Sequence, residues 1–415
     1  MDEVKLKKIL VSNFFRYLDI ASQSDPSSIN IPSSKGQLSL AKLLAKELEE
    51  LDLVDIVIND YGVLQARLKA RGIKKEEAEK IGRVCHLDTV DVGLDDEISY
   101  QIIKAYDGRD IILDEDLGAV ISSKDDPEIL SYLGDDIITT KGKSVLGADN
   151  KAAIANVMTA LSYLKDNPAL KHGDIYLAFV PDEEIGLRGS RKIDFEKFDV
   201  DFAYTIDSCE LGELVYETFN AASGRIDIRG ISAHPMSAKN KLINPIMVSH
   251  DLISLLDESK MPEHTEAREG YIWITDIKAD VLNARIDFNI RNHDREEFDQ
   301  AKKYIGKIVD ITKRKYKNAD ISFSIKDTYA NIKDSITADN KKALDYLYRS
   351  FDKLSIKIKE IPMRGGTDGS YLSSRGILTP NYFTGAHNFH SYKEFLPIES
   401  FYKSLQVTLD LMLVD

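Results

Sequence analysis

Between residues 219 and 329 the chain changes texture, and that stretch constrains the fold more than any other. Strand-like RIDIRGIS is followed by a helical pattern at 244–256, strand-like YIWITDIKAD and NARIDFNIR, a helical pattern at 296–315, and strand-like ADISFSIKD. The strands carry period-two alternation and the helices an apolar stripe. A βαββαβ order closes into a ferredoxin-like unit. The stretch is therefore expected to be an inserted second domain, 219–329, with residues 1–218 and 330–415 forming one discontinuous domain around it.

The flanking segments read differently. Helical spacing runs over 4–20 and 36–51, and the short apolar runs at 54–59 and 63–68 are joined by Asp60-Tyr61-Gly62 as a hairpin. Strand-like IGRVCHLDT follows, then a helix from Asp149, strands at 174–180 and 202–207, and, after the insertion, a helix at 340–354, the Gly-rich turn RGGTDG, strand-like ILTPNYFTG and a helix at 397–413. Strands alternating with helices predict an α/β domain with a mixed, largely parallel sheet covered on both faces. Residues 92–142 show no clear period and are expected to be loop. At 415 residues the chain is long enough for two domains of ordinary size.

Charge excludes some partners. With 55 Lys+Arg against 69 Asp+Glu the net charge is −14, and the one basic run, KRKYK, ends a helical pattern. Nucleic acid and anionic lipid are thus not expected to bind. No apolar run approaches the roughly 20 residues needed to span a bilayer, and the segment MDEVKLKKIL lacks a signal-peptide core. With only Cys85 and Cys209 there is no disulfide framework, so a cytoplasmic location is expected.

Acids and histidines gather at the carboxyl ends of the expected strands, where open α/β sheets build their sites. His86 and Asp88 in HLDTVD are two apart and leave the sheet on one face. Asp149 opens a helix, which by itself reads as an N-cap. PDEEIG places Glu183 and Glu184 together, so that one can bind a cation while the other handles a proton. Asp207 closes FAYTID, and His390 lies in TGAHNFHS with His387 three residues earlier as a rival.

HLDTVD, LGADNKAAIANVMTA, HGDIYLAFVPDEEIG, FAYTIDSCELGEL, AHPMSAK, RGGTDGSYLSSRG and NYFTGAHNFHSYKEF, in that order and over nearly the whole chain, resemble the peptidase T branch of the two-zinc aminoacylase and carboxypeptidase group. The resemblance implies that Asp149 bridges two zinc ions, with His86 and Asp207 completing one site and Glu184 and His390 the other, a mixed N/O set suited to zinc. It implies that Asp88 orients His86, that Glu183 is the general base, and that the inserted domain acts as a lid. His234 would polarise the scissile carbonyl, and Asn244, Arg291 and Arg364 would grip the substrate backbone and its C-terminal carboxylate. Asn150 stands where the family has an acid, and Asn292-His293 replaces an aromatic after the acid near Arg291.

The expected activity is release of the N-terminal residue from tripeptides, with short peptides as partners and a homodimer as the oligomeric option. A related dipeptidase or acyl-amino-acid amidohydrolase would share the same metal set, and a non-catalytic zinc-dependent binding protein would share the fold. Intact Glu183 argues against the last. A panel of tripeptides, dipeptides and acetylated amino acids separates the others.

Overall fold

The computed structural model describes residues 3–73 and 78–414, so Met1, Asp2 and Asp415, at the ends of the expected first domain, lie outside the described residues. Two compact units emerge. The first takes in the chain up to Tyr216, Ser335–Ile361 and the chain from Thr367 onward; the second is Glu217–Asp334 with Pro362–Gly366. The five-residue return to the second unit is not part of the single-insertion expectation. Its cause is local: Phe219 N–H donates to Gly365 O at 3.0 Å, and the Arg364 guanidinium lies over the Phe219 and Tyr271 rings.

In the first unit an eight-stranded sheet has the order Val54–Ile58, Leu64–Leu68, Ile175–Val180, Ile81–His86, Phe202–Ser208, Asn381–Phe383, Glu213–Glu217, Lys359–Pro362. The four middle strands are parallel to one another. IYLAFV is buried at every position, as a central strand covered on both faces should be. The helix Ala148–Asp166 is buried almost all round because it packs on this sheet and is itself covered by Glu3–Leu18 and Ile398–Asp410.

Residues 92–142, expected to be loop, instead form short strands. Tyr100–Ile103 and Ile137–Thr140 pair with Phe395–Pro397 in one small sheet, and Ile111–Asp114 pairs with Ala119–Ile121. Each strand is only three or four residues long, too short to show a period, and gains stability from a shared core of Tyr106, Ile111, Ile121, Ile129, Tyr132, Ile137 and Phe395. Likewise RGGTDG is not all turn: Thr367 caps a helix, Asp368–Ser374, with a capping box.

The second unit is a four-stranded antiparallel sheet ordered Tyr271–Ala279, Asn283–Asn292, Asn220–Arg229, Asp320–Tyr329. Helices Pro245–Ile253 and Arg295–Lys315 pack on the alternate inward residues Ile226, Ile228, Ile286, Phe288 and Ile290. The chain order and sheet order are those of a ferredoxin-like unit.

Candidate metal centre

Three of the parallel strands end at one place. His86 is the last residue of its strand, Asp207 the penultimate residue of the next, and Glu183 and Glu184 follow Val180 by three and four residues. Because parallel strands in register finish together, their carboxyl ends deliver these side chains to one edge.

Asp149 sits at the centre. Its carboxylate does not cap the helix: Gly147 is the N-cap and makes no side-chain bond, while Asp149 itself has non-helical dihedrals. The N-cap reading thus fails, because the carboxylate is claimed by two imidazoles. His86 Nε2 lies 2.8 Å from Asp149 Oδ1 and His390 Nε2 lies 3.1 Å from Oδ2. Asp207 Oδ1 is 3.8 Å from His86 Nε2, and Glu184 Oε1 is 3.0 Å from His390 Nε2. Each oxygen of one aspartate therefore faces one histidine, with a second carboxylate beside each.

This donor set fits cations. Glu184 Oε1 is buried and accepts no well-formed hydrogen bond, which costs free energy unless a positive charge meets it. Burial raises the Glu184 carboxyl to about 7 and that of Asp207 to about 6, in both cases with the Asp149 charge adding to the effect. Burial opposes protonation of His390, yet its hydrogen bond to Asp149 and the adjacent Glu184 carboxylate carry it up to about 11. Carboxylates crowded together around two imidazoles are the condition that a bound metal relieves. Among the described residues, ligand atoms of His86, Asp149 and Glu184 lie within 4.8 Å of one another, close enough to hold an ion.

The surroundings hold the donors in place. The His86 ring has Nδ1 3.0 Å from the Asp88 carbonyl oxygen and 3.4 Å from its carboxylate, leaving Nε2 for the site. The same Asp88 carboxylate accepts the backbone N–H of Glu183 and of Glu184, at 3.0 and 3.1 Å. Asn150, where the resemblance led to an acid being expected, is fully engaged: its Oδ1 accepts His86 N–H, and its Nδ2 donates to Ile206 O and, at 3.4 Å, to Asp207 Oδ1. An asparagine here can donate to a ligand carboxylate, which an acid cannot do when ionised. His387 faces away, with Nε2 2.6 Å from the Tyr132 hydroxyl and its ring stacked on Phe395, so it is no rival to His390. Cys85 is buried beside His86 as a small core residue, and Cys209 is partly exposed.

The Glu183 carboxyl is raised as well: burial lifts it, with Asp207, Asp368 and Glu184 adding and His86 opposing. Asp368, another buried acid with an unpartnered Oδ1, stands in the RGGTDG motif four residues after Arg364, and its spacing does not mark it as a site residue. Sequence reasoning also missed Glu394 and the Ser33–Gln37–Asp182 network, which no local spacing signals.

The four remaining expected site residues all belong to the second unit. The His234 Nδ1 accepts Met236 N–H and the Asn244 Oδ1 accepts Ile246 N–H, each capping a short turn or helix. Arg291 donates to Ala222 O and Ile290 O, and Arg364 to Ala267 O, Glu269 O and Thr265 Oγ1.

The family model for peptidase family M20/M25/M40 matches residues 147–414. A peptidase T-like protein of Yersinia pestis is 52% identical over 98% of this chain and 97% of its own length. Peptidase T of Bacillus velezensis is 40% identical over 98% of each. Among solved structures, aminopeptidase PepT from Bacillus cereus superposes with a TM-score of 0.74 at 20% identity, covering 98% of both chains.

Proposed function

Since this chain belongs to peptidase family M20/M25/M40, in its peptidase T-like branch, we propose that it is a two-zinc aminopeptidase that releases the N-terminal residue of tripeptides. It is a hydrolase of peptide bonds. The observation that carries the two-metal reading is the single carboxylate of Asp149, whose oxygens meet His86 at 2.8 Å and His390 at 3.1 Å.

His86 with Asp207 would hold one zinc and Glu184 with His390 the other, Asp149 serving both. Metal held by these residues would supply Lewis-acid chemistry, lowering the pKa of a water and polarising the scissile carbonyl. Glu183, with its raised carboxyl, takes the water's proton as it attacks and returns it to the leaving amine. Asp88 keeps His86 oriented and, through its two backbone bonds, keeps Glu183 in register with Glu184. From the resemblance we assign carbonyl polarisation to His234, and recognition of the substrate backbone and carboxylate to Asn244, Arg291 and Arg364.

The test is a panel of a tripeptide, its C-terminally amidated form, dipeptides and acetylated amino acids, run with metal analysis. Cleavage of the tripeptide at its first bond, weakened by amidation, with two zinc ions per chain, is expected. Preference for acetylated amino acids would overturn the aminopeptidase reading, one ion per chain would overturn the bridge, and indifference to amidation would remove the arginine assignment. We place the enzyme in the cytoplasm, where Cys85 and Cys209 stay unpaired, as a homodimer; cell fractionation and light scattering check both points.

Among the described residues no helix is long and apolar enough to cross a membrane.

A further inference from the structure

Glu394 is 1% exposed and lies outside every role assigned so far. Four successive backbone N–H groups converge on its carboxylate: Leu146 and Gly147 on Oε2 at 2.7 and 2.9 Å, Ala148 and Asp149 on Oε1 at 2.9 and 3.4 Å. Successive amides turned to one side form an anion-binding nest, and here Gly147, at φ +71°, supplies the left-handed turn that aligns them. The nest is filled by the chain's own side chain. A carboxylate removed from water is tolerated only when it is so fully hydrogen-bonded.

Its place in the chain gives this contact a direction. Glu394 follows His390 by four residues, in a segment fastened at both ends. On one side His387 and Phe395 exchange backbone hydrogen bonds, and Phe395–Pro397 pairs with Ile137–Thr140. On the other, Asn388 Nδ2 and Lys393 Nζ both reach the Asp126 carboxylate, at 3.0 and 3.1 Å. One carboxylate thus ties the segment that carries His390 to the segment that carries Asp149. His86 and Asp207 owe their positions instead to neighbouring strands of the central sheet.

We propose that Glu394 is a positioning residue for one half of the metal centre, setting Asp149 Oδ2 against His390 so that the Glu184–His390 side closes on its ion. The inference rests on the two-metal reading above. Glu394→Gln keeps the shape but turns an amide N–H₂ toward backbone donors, so at least one amide of the nest loses its acceptor.

The experiment is calorimetric titration of zinc chloride into the metal-stripped full chain, compared for wild type, Glu394→Gln and Glu394→Asp, with near-UV circular dichroism to verify the fold. The expected result is one site of wild-type affinity and one weakened by ~10- to 100-fold, the usual worth of a residue that orients a ligand. The weakened half is identified by adding His390→Gln: the double variant should bind no more weakly than His390→Gln alone, since both changes strike the same ion. Equal weakening of both sites, no weakening, or additive losses in the double variant would each overturn the proposal. Failure of both Glu394 variants to fold would do the same, by making the residue structural only. A wild-type chain that takes a single ion would instead sink the two-metal reading on which the inference stands.

Discussion

Glu183 and Glu184 are neighbours with the same side chain and different surroundings, and the proposed roles differ accordingly. Glu184 Oε1 lies 3.0 Å from His390 Nε2, whereas among the described residues no imidazole stands within ion-pair distance of Glu183, whose buried carboxyl is raised well above its ordinary value. Glu183→Gln should leave metal content unchanged while kcat falls by ~10² to 10⁴, the worth of a positioned base. That is roughly 3 to 5 kcal/mol of transition-state stabilisation. Glu184→Gln should lose activity together with one metal, and recover part of it in excess zinc. Rescue of the Glu183 variant but not the Glu184 variant would show the roles to be reversed. HLDTVD and PDEEIG made these residues legible because ligand and base lie within a few positions of a strand end. Asp149 was legible as a residue, but its side chain's direction was not, because an aspartate at a helix start normally caps it.

At the scale of elements, the segment carrying the two glutamates is held from two sides. Asp88 grips its backbone at Glu183 and Glu184, and Gln37, on the helix Lys35–Glu50, makes a reciprocal pair with Asp182: Nε2 donates to Oδ1 at 2.8 Å, and Asp182 N–H donates to Oε1 at 2.9 Å. Asp182 is fully buried and at φ +57°, a backbone state that a non-glycine residue keeps only when held there. Gln37→Leu should release it, lowering kcat by about tenfold or more with KM little changed, because small misplacements of a reacting group are costly. Steady-state kinetics beside a melting curve check this, and an unaltered kcat in a less stable protein would show that the pair serves stability alone. Gln37 and Asp182 are 145 positions apart, and nothing in either local sequence marks the partner.

For the whole molecule, the two units have separate hydrophobic cores, and all the candidate metal donors belong to the first. Metal binds only the folded state of that unit, so it should stabilise that unit alone. At a hundredfold excess over Kd the linkage is worth about 2.7 kcal/mol, which corresponds to a shift of about 4 °C for a unit of this size. Scanning calorimetry with and without a chelator should therefore show one transition falling and the other, belonging to the ferredoxin-like unit, staying in place. An equal fall in both would contradict the confinement of the metal to the first unit.

Features that repeat at short range were legible in the chain itself: the helices over 296–315 and around Asp149, the buried run IYLAFV, the βαββαβ order, and the acids and histidines at strand ends. Side-chain period and strand-end position are properties of a few consecutive residues, so they can be read without the fold. Tertiary structure alone decided the rest. It made strands of the short runs within 92–142, joined Arg364 to the second unit through Phe219 and Tyr271, turned His387 to Tyr132, and set Glu394 under the amides before Asp149. Each of these rests on a contact between residues far apart in the chain, where burial and an unmet hydrogen-bonding group, rather than local propensity, select the partner.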